Sequence, residues 1–210
     1  WLVTTAGTHG VVNVGNSSQP AGVATQITAV PDLYYHLLGW SGDAAGSVNP
    51  LELLMDAPKS VQADFTATLA VHGTPHWWLA EHGWTSDFDA AALNDNEPDG
   101  YPTWQEHIAN TDPTNATDYI HLTAIHVIAT PAGRTIVAKV APDRVYRIEF
   151  ADSALNAQPM LWTSFQAGGS WTNSVEPYAL THEFTDDGTE NTSGVPLGTR
   201  RYYRVQVALP

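Results

Sequence analysis

Alternation of apolar and polar positions marks the two ends of the chain as β-structure. In residues 1 to about 66 the apolar positions fall in short runs, "VVNV" (11–14), "ATQITAV" (24–30) and "SVQADFTATLAV" (60–71), with no sustained helical periodicity. Between the last two runs, "LLGWSGDAAGSVNPLELLMDAPKS" places Gly39, Gly42 and Gly46 beside Asp43 and Asn49-Pro50, which reads as an extended turn. From about residue 118 the strand signal returns in "YIHLTAIHVIAT", "RTIVAKV", "RVYRIEFA", "MLWTSFQ", "ALTHEFTDD" and "RRYYRVQVAL", bounded by Gly-, Pro- and Asp-rich turns. Six such runs predict a small β sandwich.

The middle of the chain has a different period. In "HWWLAEHG" (76–83), Thr74-Pro75 predicts an N-cap with a Pro in the first turn, and Gly83 a stop. "TWQEHIAN" (103–110) predicts a second short helix, with Trp104 and Ile108 on one face and Asn110 as a left-handed cap. The expected fold class is therefore mainly β: two small β domains, residues 1–70 and 118–210, joined by a short helical segment over 71–117. The opening "WLVTT" reads as a strand with no cap before it, as expected of a piece cut from a longer chain.

Composition narrows the function. Hydrophobic residues make up 43% of the 210 positions and aromatics 10%, enough for packed cores. With 22 acidic against 8 Lys and Arg side chains, the formal charge is −14, which disfavours nucleic acid and anionic membranes and favours divalent cations. No apolar stretch approaches the roughly 18 residues of a membrane span, so no membrane insertion is expected. Cysteine is absent, which removes disulfides and thiol chemistry.

The acid is concentrated in "NDNEPDGYPTWQE" (94–106). With Asp95 as position 1, Glu97 falls at 3, Asp99 at 5, Gly100 at the turn position 6, the Tyr101 carbonyl at 7, Thr103 at 9 and Glu106 at 12, the spacing of an EF-hand-type Ca2+ loop. Carboxylates so spaced converge on one point, where a hard cation turns their repulsion into a cross-link. Glu97 is longer than the usual Asp or Asn, and Pro98 stiffens position 4. Magnesium suits so many protein oxygens less well than calcium does.

Other candidates for chemistry are weaker. His72, His76 and His82 lack the spacing of a zinc pair. Ser41 in "GWSGD" lacks the setting of a nucleophile elbow. Glu183, Asp186 and Asp187 could form a glycosidase pair but are explained by a turn after an edge strand. No convergent nucleophile, base or closed metal site is present, so no enzyme is expected.

Three resemblances accompany these readings. The stretch 26–65 resembles the divergent internalin-type B repeat of bacterial exported proteins. The match runs through Thr28, Ala29, Pro31, Gly39, Trp40, Gly42, Asn49, Pro50, Met55, Asp56, Lys59, Val61, Ala63 and Phe65. It implies a compact surface β module with Trp40 in its core. The stretch 73–118 is similar to thrombospondin type 3-like segments through Asp95, Glu97, Asp99, Gly100, Pro102, Trp104 and Glu106, with "TDPT" at 111–114. That resemblance implies one calcium site, to which Asp112, with Asp87 or Asp89, could add a ligand. Thr68, Ala70 and His72 stand where a first loop would carry acids, which implies that a first site is lost. The region from "GRTIVAKV" to "RRYYRVQV" resembles C-terminal fibronectin-like β domains.

Together these imply a non-enzymatic, extracellular or cell-surface structural or adhesive module stabilised by calcium. Its expected partners are other copies of itself, assembling into a filament, or neighbouring modules of a longer chain. The alternative is a carbohydrate-binding accessory region of a secreted polysaccharide-degrading enzyme, stacking Trp84, Trp162 and Trp171 on surface glycans.

Overall fold

The computed structural model describes residues 1–129, 132–152, 161–165, 168–174, 180–189 and 201–210. The chain is mainly β and divides into two compact units, Trp1–Ala92 and Leu93–Pro210.

In the N-terminal unit, β1 (Leu2–Ala6) pairs in parallel with β7 (Lys59–Ala67), which pairs antiparallel with β5 (Tyr35–Gly42). Two ribbons complete it: β2 (Gly10–Val12) with β4 (Ala29–Pro31), and β3 (Ala24–Ile27) with β6 (Leu51–Leu54). The sequence run 24–30 is thus split between two partners, because Thr28 leaves the ladder to bond Asn13 with its backbone N–H and C=O.

The segment read as an extended turn contains β5 and β6. Its glycines hid strands whose pairing is decided at long range. Gly42, at φ +86°, ends β5 where a Cβ would lie 2.4 Å from the Ser60 carbonyl oxygen. The core between these elements holds Leu2, Ile27, Ala29, Trp40, Leu53, Met55, Val61 and Ala63. Trp40 is buried, and its indole N–H donates to the Val48 carbonyl at 2.9 Å. The Asn49 side chain bonds both the N–H and the C=O of Ala29, at 2.9 and 2.8 Å, replacing a strand neighbour.

Helix α1 (His76–Glu81) begins one residue later than the sequence suggests: Pro75 occupies the cap, while the buried Thr74 hydroxyl donates to the Val71 carbonyl. Gly83, at φ +101°, follows its end. A further helix, α2 (Phe88–Leu93), was not anticipated. It buries Ala91 and Ala92, and its small residues give no amphipathic stripe to read.

In the C-terminal unit, α3 (Thr103–Ala109) precedes seven strands among the described residues. They are β8 (Leu122–Ala129), β9 (Ala132–Lys139), β10 (Val145–Ala151), β11 (Thr163–Ser164), β12 (Ser170–Thr172), β13 (Thr181–Asp186) and β14 (Tyr202–Ala208). One antiparallel sheet runs β13-β9-β8. In the other, β10 pairs along its whole length with β14 and, on its opposite edge, with β12 and β11 in succession. Ile136 and Phe184 from the first sheet meet Ile148 from the second, with Leu122, Phe165, Trp171 and Tyr203 packed around them. Alternation along β13 places Phe184 inward, whereas β10 is buried on both faces from Ile148 to Ala151.

This core also contains charge. The Arg201 guanidinium is wholly buried, bonding both oxygens of Asp152 at 2.7 and 2.6 Å and Asp186 Oδ2 at 2.7 Å. Tyr203 donates its hydroxyl to the same Asp186 oxygen at 2.9 Å, and the Phe150 ring lies 4.3 Å beneath the guanidinium.

Candidate metal centre

The acidic loop lies within the C-terminal unit, immediately before α3. Two of its carboxylates fold the loop through local bonds: Asp95 Oδ2 accepts from the Gly100 N–H at 3.0 Å, and Asp99 Oδ1 from the Tyr101 N–H at 2.8 Å. Gly100, at φ +98°, provides the left-handed turn that brings them together. At the helix start, the Thr103 N–H and hydroxyl both donate to the Asn94 carbonyl, at 2.8 and 2.9 Å, fixing the far side of the loop.

The remaining oxygens face one another. Asp95, Glu97 and Asp99 each offer an oxygen, and these lie within 4.8 Å of one another. Glu106, on the first turns of α3, is 1% exposed. Asp95 Oδ1, Asp99 Oδ2 and both oxygens of Glu97 and of Glu106 are shielded from solvent without a hydrogen-bond partner. Six unpartnered carboxylate oxygens are a large polar debt for one short loop, since each such group ordinarily costs about 1–3 kcal/mol or more when charged.

Protonation relieves part of it. Burial, followed by the charge of the adjacent Glu97, pushes the Glu106 carboxyl up to about 8. Burial likewise raises Glu97, with the charges of Asp99 and Asp95 adding to it. The oxygens of Asp95, Glu97 and Asp99 lie close enough to share one hard cation, while Glu106 lies beside Glu97 and outside that set.

Of the other residues that spacing proposes, Tyr101 stacks its ring on Tyr119 at 5.9 Å, and the Thr103 hydroxyl is engaged with Asn94. Asp112 heads a separate turn, accepting from the Thr114 N–H and hydroxyl at 3.0 and 2.7 Å. In the N-terminal unit, Asp89 accepts from the Val71 N–H at 2.9 Å.

A residue missed in the sequence completes the setting. Arg144, in the turn between β9 and β10, donates Nη2 to the His107 carbonyl at 2.9 Å and Nε to the Ile108 carbonyl. It thereby caps the carbonyl end of α3, the helix that carries Glu106 at its centre. Burial, and then the charge of Arg144, lowers His107 to about 4 and keeps it neutral. No local pattern marks an arginine 36 residues away as a cap.

The remaining candidates take structural roles. Asp186 is a buried partner of Arg201, and the Ser41 hydroxyl donates to Asp64 at 3.1 Å. Trp171 stacks between His182 and Tyr146, at 3.8 and 5.3 Å, within the sandwich. Arg204 lies 4.6 Å over the Trp162 ring, and Trp84 is half-buried.

The fold is that of a mainly β module with a short helical insertion. Residues 2–69, about a third of the chain, match the family model of the divergent InlB B-repeat domain, a bacterial surface-protein repeat and not an enzyme family. Searches of curated proteins and of solved structures found no match. No helix among the described residues is long and apolar enough to cross a membrane.

Proposed function

We propose that the chain is a non-enzymatic structural segment of an extracellular bacterial surface protein, and that Ca2+ bound by Asp95, Glu97, Asp99 and Glu106 stabilises it. In this reading a B repeat over residues 1–70 is followed by a metal-bearing segment over 71–117 and a fibronectin-like sandwich over 118–210. The Tyr101 carbonyl and Thr103 fill the positions that the loop spacing gives them, and Asp112 serves as an outer residue. The observation that carries the reading is the set of six shielded carboxylate oxygens with no protein partner. An acidic surface turn would instead leave its carboxylates in water.

The ligand set suits the weak affinity of extracellular modules, roughly 10⁻⁴ to 10⁻³ M. At tenfold excess over Kd, calcium would add about 1.4 kcal/mol of stability. Thermal unfolding in millimolar calcium and in chelator tests this. A rise in melting temperature with calcium that disappears in Asp99→Ala supports the site, and identical curves would overturn it. In the finer form of the proposal, copies add to one another through sheet edges such as β8, which among the described strands pairs only with β9. Light scattering that stays monomeric at high concentration would remove that part.

A further inference from the structure

We infer that α3 is a strut that transmits occupancy of the acidic loop to the β10-β14 pair of the sandwich, with Arg144 as the positioning residue that couples them. The inference deepens the calcium reading and rests on it.

The argument begins with the helix itself. Seven residues are too few for a helix to persist alone in water, so α3 exists because its ends are held. Its first turns carry Glu106 into the carboxylate cluster, and Thr103 ties it to Asn94. At the other end Asn110 adopts the left-handed conformation, at φ 56°, and Arg144 takes the His107 and Ile108 carbonyls. The cluster therefore holds α3 through Glu106, the middle one of its seven residues, and the guanidinium holds the carbonyls of the two residues that follow.

Arg144 is itself fixed to the sandwich. Its carbonyl accepts from the Asn173 N–H at 3.0 Å, and the Asp143 N–H donates to the Asn173 carbonyl at 2.7 Å. The Asn173 side chain reaches the Ala141 carbonyl at 3.0 Å, and the buried Tyr146 hydroxyl bonds Ala141 from β10. The turn thus moves only if the starts of β10 and the end of β12 move with it.

Side chains also meet across the interface between helix and sheet. A cavity of about 250 Å³ lies between α3 and β14, lined by Trp104, Ile108, Tyr119, Val205 and Val207. The bonds of Arg144, with that of the Asn110 side chain to the Pro142 carbonyl at 3.5 Å, are directional links between the helix and the turn before β10.

Hydrogen exchange on the full chain, with calcium and with chelator, tests the inference. If opening of an amide requires release of the ion, its exchange slows by 1 + [Ca2+]/Kd, about tenfold at ten times Kd. The wild type should show this slowing in α3 and also in β10 and β14, while Arg144→Met should keep it in α3 and lose it in the strands. Arg144→Lys, which retains the charge and one bond, should be intermediate, and serves if the Met variant does not fold. Equal slowing of β10 and β14 in wild type and variants would overturn the strut.

Isothermal titration with calcium separates this from failure of the metal site. If no calcium binds, Glu106→Gln in chelator above pH 8, where the wild-type carboxyl is ionised, removes one buried charge without any ion. Slower exchange in α3 accompanied by β10 then supports the strut, and a response confined to α3 overturns it.

Discussion

The described residues of the N-terminal unit bury no charged side chain, and the Asp56–Lys59 ion pair, at 2.7 Å, lies at its surface. The C-terminal unit buries Glu106, Glu149, Asp186 and Arg201. Asp186 and Arg201 satisfy one another, Glu149 is held by Arg204 at 2.6 Å, and Glu106 faces another carboxyl, that of Glu97. Two β units of one chain are thus stabilised differently. The first relies on apolar burial, which is nearly indifferent to pH and ions, and the second on charges whose compensation depends on both.

The contrast can be broken most sharply at Asp186. Asp186→Ala leaves Arg201 and Tyr203 without a shared partner and should cost about 3–5 kcal/mol, read as loss of the C-terminal transition in denaturant unfolding. The corresponding change in the other unit, Ile27→Ala, should cost about 2–5 kcal/mol and shift a transition whose midpoint is the same with calcium and with chelator. A calcium-dependent midpoint there would erase the distinction.

A smaller effect follows from Glu106. Its carboxyl rises from an ordinary 4.5 to about 8 in the ion-free fold, so between those values the unfolded chain has released a proton that the folded chain keeps. The unfolded state binds fewer protons, and stability in chelator should fall as pH rises through this window. Calcium requires the ionised form, so its affinity should rise over the same window. Melting curves from pH 5 to 8 should slope downward in chelator for the wild type and be flatter in Glu106→Gln. The smallest effect is expected at Lys59→Ala, where the solvent-exposed pair with Asp56 should leave the melting temperature within error.

Legibility varied with the range of the interactions. The 60–71 run and the two helical signals at 76–83 and 103–110 correspond to β7, α1 and α3, because their periodicity is local and strong. The left-handed Asn110 was readable for the same reason. By contrast, β5 and β6 were hidden in a glycine-rich stretch whose partners, β7 and β3, lie elsewhere in the chain. Only the strand core Thr163–Ser164 of "MLWTSFQ" is paired among the described residues, and Met160 and Gln166 fall outside them.

The sequence by itself determined the mainly β class, the repeat motif around Trp40 and the crowding of Asp95, Glu97, Asp99 and Glu106, since alternation, turn chemistry and spacing are written within a few residues. Tertiary structure decided that Glu106 and its neighbours are shielded without partners, that Asp186 neutralises Arg201, and that Arg144 grips the far end of α3. Burial and charge compensation depend on groups that folding brings together across tens of residues, and no local pattern encodes them.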